Sequence, residues 1–360
     1  MEGWRNGGME EQLTNRKIML IVLVLLPLIF TCSNEKRANV FTSRGMYYWK
    51  TVFSLNDKDV SVLSRLRISR LYLRIADIIY NQKTNQPEPS APVSMHSAIP
   101  ENMEMIPVLF ITPDVFKKAD NKAADSLASN ILKLFSGFSK AAGKEIKEAQ
   151  IDYDWTPSTR ERYFYFLEKI QNLAKKRGLK YAFSCTVRLH QVRFRQQTGV
   201  PPVDRAVLMA YNMQSGPSYS QKNGIFDLNE LEKYINNKTS YPLEMGLVLP
   251  IFSQACLYRN SRIIGIFKVN NIKDLENNKW LYKAMDSNYI VKHRFNVFGR
   301  EMAGGDVIKI EAVNTDDIKN GVIQIKKKVN TGGTISLFDY NGPEGFDDEK
   351  ISLLDSVFNN

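Results

Sequence analysis

Cysteine and histidine are scarce in this chain, with three of each among 360 residues. His96, His190 and His293 stand apart from any cysteine cluster, so no zinc site is expected. Cys185 and Cys256 are distant in sequence and set in apolar surroundings, and no disulfide framework is indicated. No G-x-G-x-x-G follows the first apolar strand segment, which removes support for a dinucleotide-binding sheet and leaves no cofactor expected. Nucleic-acid motifs are missing as well, and the basic residues are scattered, so nucleic acid is not an expected partner. No internal repeat is evident. The one Pro-rich stretch, residues 86–92, is too short to separate domains.

What is present describes a globular body behind a targeting segment. The chain is 43% hydrophobic and 24% charged, a balance that supports a sizeable core. Arg16 and Lys17 precede an apolar run from Ile18 to Phe30, shorter than the roughly 20 residues of a membrane span but suited to a signal-peptide core. The run ends at Leu28-Ile29-Phe30-Thr31-Cys32-Ser33, which resembles a bacterial lipobox with Cys32 as the lipidated residue. Thr31 departs from the small residue usual at that place, and an uncleaved anchor helix is the alternative. Either way the body lies outside the cytoplasm. The expected divisions are a signal peptide at 1–31, a tether at 32–40 and a folded domain at 41–360. The expected location is the bacterial cell envelope, lipid-anchored to a membrane, with the outer membrane preferred to the inner. Net charge is +11, and residues 1–31 hold three bases (Arg5, Arg16, Lys17) and three acids (Glu2, Glu10, Glu11), so the body keeps all of it. Such a body could favour anionic glycans or lipid headgroups.

Along the body, short apolar strands alternate with amphipathic helices, the order of a parallel α/β barrel or sheet. Strands are expected at 46–49, 68–78, 105–111, 149–154, 181–188, 205–212, 244–252 and 334–340. Helices are expected near 122–138, 159–177 and 316–327. Eight strands in this order suit a single (β/α)8 TIM-type barrel, with an open doubly wound sheet as the alternative. After the seventh strand a hairpin insertion is expected at 255–269, then a helix-rich stretch and an apolar segment at 305–311.

The fourth strand carries the chemistry. Along Gln150-Ile151-Asp152-Tyr153-Asp154-Trp155, side chains alternate, so Gln150, Asp152 and Asp154 share one face. If the apolar set packs against helices, an amide and two carboxylates face the barrel interior, at the strand end where barrels place catalytic groups. Carboxylates are kept there only when paired or used, because burying them alone costs several kcal/mol. The two acids lie roughly 6.5–7 Å apart along a strand, a separation that fits both retaining and inverting glycoside hydrolysis.

This strand, with the aromatic first strand Tyr47-Tyr48-Trp49, resembles a bacterial barrel family known as domain of unknown function 3142. It is also similar to glycoside hydrolase family 18, whose signature is D-x-x-D-x-D-x-E. Asp152 and Asp154 fall on the second and third acids; Ala149 replaces the first, and Thr156 replaces the glutamate that protonates the leaving group. Met209-Ala210-Tyr211-Asn212 is similar to that family's M-x-Y-D, with Asn212 in place of the acid. The resemblance implies a glycoside-hydrolase-like barrel acting on a glycan; with the lipobox-like segment, the expectation is an envelope lipoprotein of that kind. Since Thr156 cannot donate a proton as an acid does, Asp154 would be the acid/base and Asp152 its partner.

Tyr48 and Trp49 are candidate sugar platforms, with core packing as the bland alternative. Arg74 is expected to face inward and to bridge to Asp152 or Asp154. Gln150, Arg188, Tyr211 and Asn212 complete the candidate substrate-binding set, with His190, Gln254 and Asp339 as weaker members. Two further readings stay open: a non-catalytic glycan-binding lipoprotein, and a structural factor of the envelope.

Overall fold

The computed structural model describes residues 40–213, 223–235, 240–269, 275, 278–284, 288–297 and 299–359. The signal peptide, most of the tether and the lipidation expected at Cys32 lie outside the described residues.

Eight parallel strands form a closed ring. In chain order they are Phe41–Tyr48, Arg70–Asn81, Glu104–Ile111, Glu148–Asp152, Ala182–Arg188, Arg205–Met209, Glu244–Pro250 and Thr331–Phe338, the first to eighth barrel strands. The first strand pairs with both the second and the eighth, which leaves the ring without an edge and excludes the open sheet. Helices return the chain between strands, among them Asp57–Arg65, Asn121–Ala142, Arg160–Lys176 and Thr315–Lys328, with Asp348–Phe358 closing the chain. The second strand departs from this rule. It overshoots the ring and turns into an antiparallel partner, Gln86–Ser90.

Local chemistry accounts for the element ends. Asp120 precedes helix Asn121–Ala142 and accepts from the Ala123 amide at 2.8 Å, while Gly143 ends the helix with φ +62°. The next helix begins at Arg160 without such a cap; Thr159 instead accepts from the Thr156 amide at 3.0 Å and shapes the turn out of the fourth strand. Outside the ring, Tyr153 packs its ring 4.9 Å from Phe116 and 4.8 Å from Tyr163, and fully buried Trp155 donates to the Thr198 carbonyl. These odd-numbered side chains belong to the strand–helix layer.

Inside the ring, space is tight near the strand starts. A Cβ on Gly45 would collide with the Ser336 hydroxyl and lie 2.9 Å from the Tyr72 ring. Gly45→Ala should therefore lower stability by about 1–3 kcal/mol through overpacking. Denaturant unfolding would check this, and an unchanged midpoint would contradict the close approach.

The insertion after the seventh strand is larger than the expected hairpin. Ser253–Arg259 and Arg262–Val269 do form one, around Asn260 and Ser261 with φ +49° and +58°. They are two strands of a five-stranded antiparallel sheet completed by Val307–Glu311, Asn288–Val291 and Leu281–Lys283. Ala255, Leu257, Tyr289, Ile308 and Ile310 give this sheet its own apolar core. The helix-rich stretch expected after residue 269 is corrected too: its described residues include strands at 281–283, 288–291, 295–297 and 300–302. Strands of three or four residues are too short for their alternation to register as a period. No helix among the described residues is long and apolar enough to cross a membrane.

Candidate functional site

The fourth strand aims Gln150 and Asp152 into the ring, as alternation requires, but at different depths. Gln150 is fully buried; its side-chain oxygen accepts from the Tyr47 hydroxyl at 2.8 Å, and its amide donates to Ser184 at 3.4 Å. It belongs to the barrel filling, closed off from solvent, and is a packing residue rather than a substrate contact. Asp152 lies one layer nearer the mouth, 6% exposed, and accepts from the Thr186 hydroxyl at 2.5 Å. Burial, and then the neighbouring charge of Asp154, push Asp152 up to about 6, although Thr186 and Arg188 pull the other way.

Asp154 sits beyond the strand end, with its side chain 45% exposed. Both of its oxygens are taken by Arg188, whose Nε and Nη2 each donate at 2.8 Å in a two-pronged pair. Arg188 also donates to the Tyr211 carbonyl at 3.3 Å and lies over the Tyr211 ring. Thr156, at the place of the family's proton donor, has its hydroxyl 2.9 Å from that of Ser158. Asp152 thus has the raised pKa of an acid that can hold a proton near pH 6, and it is nearly sealed.

The first strand corrects one expectation by parity. Tyr48 and Trp49 are adjacent, so only one of them can face the ring. Tyr47 and Trp49 point inward. Tyr48 points out, with its hydroxyl donating to the Val52 carbonyl and its ring against Phe53 and Tyr340. Tyr48 is therefore core and not a sugar platform. Half-buried Trp49 lies against Phe338 (5.4 Å) and Phe110 (6.5 Å), and Tyr211 stacks on Phe338 at 4.9 Å and 15°. These rings make an aromatic floor at the C-terminal mouth. Phe110 and Phe338 were missed in the sequence although both end barrel strands with the right parity.

Arg74 is corrected as well. The second strand is bulged between Arg74 and Ala76, which re-aims the side chains beyond it. Arg74 forks onto Asp77, 2.7–2.8 Å away, and donates to the Ala91 carbonyl rather than bridging to Asp152 or Asp154. Asp77 falls in register with Phe110, and Phe110 with Asp152, so a third carboxylate joins the mouth. The bulge, invisible to a count of two, hid it.

A pocket of about 560 Å³ opens beside the floor, lined by Asp154, Arg188, His190, Tyr211, Asn212 and Gln254 among others. Asn212 adopts φ +48° at its rim. His190 lies on the short helix Leu189–Arg193 rather than on the fifth strand, and burial lowers its pKa. Gln254 belongs to the inserted sheet, where it donates to Glu311 at 2.8 Å. Asp339, buried past the eighth strand, accepts from Lys268 of the same sheet. The insertion thus forms one wall of the mouth.

The protein is therefore a single (β/α)8 barrel whose C-terminal mouth is walled by an inserted antiparallel sheet. Similar solved structures include the spore cortex-lytic enzyme SleL of Bacillus cereus, at 13% identity and TM-score 0.51 over 89% of this chain and 75% of that one. A family 18 chitinase from Cycas revoluta, solved with (GlcNAc)3, matches at 13% identity and TM-score 0.50 over 88% and 99%. A chitinase-like agglutinin from Robinia pseudoacacia matches at 11% identity and TM-score 0.50 over 87% and 98%. At such identities the likeness shows the barrel fold. No family model matches the sequence, and no curated protein matches it.

Proposed function

We propose that the protein binds a glycan at the C-terminal mouth without hydrolysing it. The observation that carries this reading is the state of the acids: Thr156 stands where the proton donor would be, and both oxygens of Asp154 are engaged by Arg188. A glycoside hydrolase needs one carboxylic acid free to protonate the leaving oxygen. Half-buried Trp49, met edge-on by Phe110 and Phe338, supplies an aromatic face on which a pyranose ring stacks. Oligomers of N-acetylglucosamine are the first ligands to test, because the Cycas chitinase of the same fold was solved with one. We also propose that Cys32 carries the lipid and that the barrel is held in the cell envelope, on the strength of the basic residues and apolar run before it.

Calorimetric titration of the full chain with a glycan panel tests the binding. Trp49→Ala should weaken affinity about tenfold by removing a stacking face worth about 1.4 kcal/mol, and no reducing ends should be released. The second reading, hydrolysis, rests on the raised pKa of Asp152. It would replace the first if wild-type protein released reducing sugar and Asp152→Asn abolished the release while retaining affinity. Absence of binding across the panel would sink both.

A further inference from the structure

A closed α/β barrel sorts charge between its two ends. Each helix runs against the strands, so helix endings and strand beginnings share the face opposite the mouth. In this chain the helices begin acidic, as at Asp57 and Asp59, Asp316 and Asp317, or Asp348 and Glu349. Several of them end basic, as at Lys140, at Lys175 and Lys176, and at Lys326, Lys327 and Lys328, while Asp348–Phe358 has no base in its last turn. The helix dipole accounts for each choice singly. Their sum is a face with an excess of positive charge.

Loops strengthen it. Lys147 and Lys180, just before the fourth and fifth strands, line a cavity of about 510 Å³ at this end together with Arg70 and Arg205. The acids here are largely spoken for: Glu148 and Glu104 pair with Arg70, Glu244 with Arg205, and Asp204 accepts from the Phe183 amide. Glu101 and Glu145 remain exposed. Lys147, Lys175, Lys176, Lys180 and Lys327 are also exposed, with no ion pair among the described residues.

We propose that this face docks on an anionic lipid surface. The chain enters the barrel here, since Phe41 opens the first strand and Thr42 and Ser43 line the same cavity. Residues 31–40 separate that strand from the end of the apolar run at Phe30, a reach of at most about 35 Å. The tether part of the argument rests on the anchoring proposed above; the charge part stands alone. A polybasic face draws a tethered body onto an anionic surface lying within about a Debye length. Lipid fits better than nucleic acid, because the large exposed rings Phe194, Trp280 and Tyr282 lie elsewhere, leaving this face without stacking platforms. In this pose the mouth points away from the membrane, toward a glycan.

The full chain is reconstituted into vesicles of phosphatidylcholine, alone or mixed with phosphatidylglycerol, carrying a headgroup quencher. Fluorophores are placed through Lys176→Cys on the basic face and Lys83→Cys in the hairpin turn on the mouth side; native Cys185 and Cys256 are buried, and labelled wild type corrects for dye on any unmodified Cys32. Mixed vesicles should quench the label at 176 about threefold more than that at 83, and about 0.5 M salt should erase the difference by screening. The combined Lys147→Glu, Lys180→Glu and Lys327→Glu variant should erase it at low salt. Equal quenching at both positions, or the same contrast on phosphatidylcholine alone, overturns the proposal. Failure to float with phosphatidylcholine vesicles counts against the anchor only; flotation with mixed vesicles then still supports the basic face, and flotation with neither overturns it. Glycan binding is read separately and is unaffected by any of these results.

Discussion

Arg70→Met should destabilise the barrel by about 3–5 kcal/mol, the cost of leaving a buried charge without its main partner. Glu148 is 1% exposed, and Arg70 donates to it at 2.8 Å while Arg205 donates at 3.0 Å. Burial works against ionisation of Glu148, but Arg70, with help from Ser184 and Arg205, outweighs it and lowers the pKa. A lowered folded pKa means stability that is present above the unfolded value and lost as pH falls through the folded one. In Arg70→Met that stabilisation should shrink, so the loss relative to wild type should be greatest near neutral pH and smaller in acid. Because Arg205 remains, the lower end of the range is expected. Urea unfolding of both proteins across pH 4–8 provides the measurement. A loss under about 1 kcal/mol would mean that water or Arg205 already satisfies Glu148.

Asp152→Asn should act in the opposite sense. Asp152 sits near 6 against an ordinary 3.8, so the folded state holds its proton more tightly than the unfolded chain does. Stability therefore falls as pH rises between about 4 and 6, and above that window the full penalty is about 3 kcal/mol. Asparagine keeps an oxygen for the Thr186 hydroxyl and carries no charge. The variant should match wild type near pH 4 and exceed it by up to about 3 kcal/mol at pH 8. Thermal or urea unfolding at the two pH values suffices, and a difference that does not change with pH would refute a buried, strained carboxylate. A side chain that costs stability where it stands is the kind that function retains. A ligand donating a hydrogen bond to Asp152 would narrow the gap between the two proteins.

The eight barrel strands were legible because each is an apolar run of several residues between turn signals, and their βα order fixes a parallel architecture. Parity along the fourth strand likewise placed Gln150 and Asp152 inside the ring. It could have decided the first strand too, since Tyr48 and Trp49 cannot both face inward. The bulge after Arg74 could not be counted from sequence, because the extra residue shows only as a slip against the third strand. The inserted sheet escaped for a similar reason: its short strands are held by partners far along the chain, such as Leu257 opposite Ile308.

What the sequence determined by itself was local: which segments become strands and helices, which face of each is apolar, and which acids stand at a strand end. Periodicity, capping and charge at helix ends act over a few residues and are written in the chain. What only the tertiary structure decided was pairing. Arg188 took Asp154, Arg74 took Asp77, and Gln150 was closed beneath Tyr47. Those contacts join strands brought together by closure of the ring, so which carboxylate stays open to a ligand is set by the assembled barrel and by no single segment.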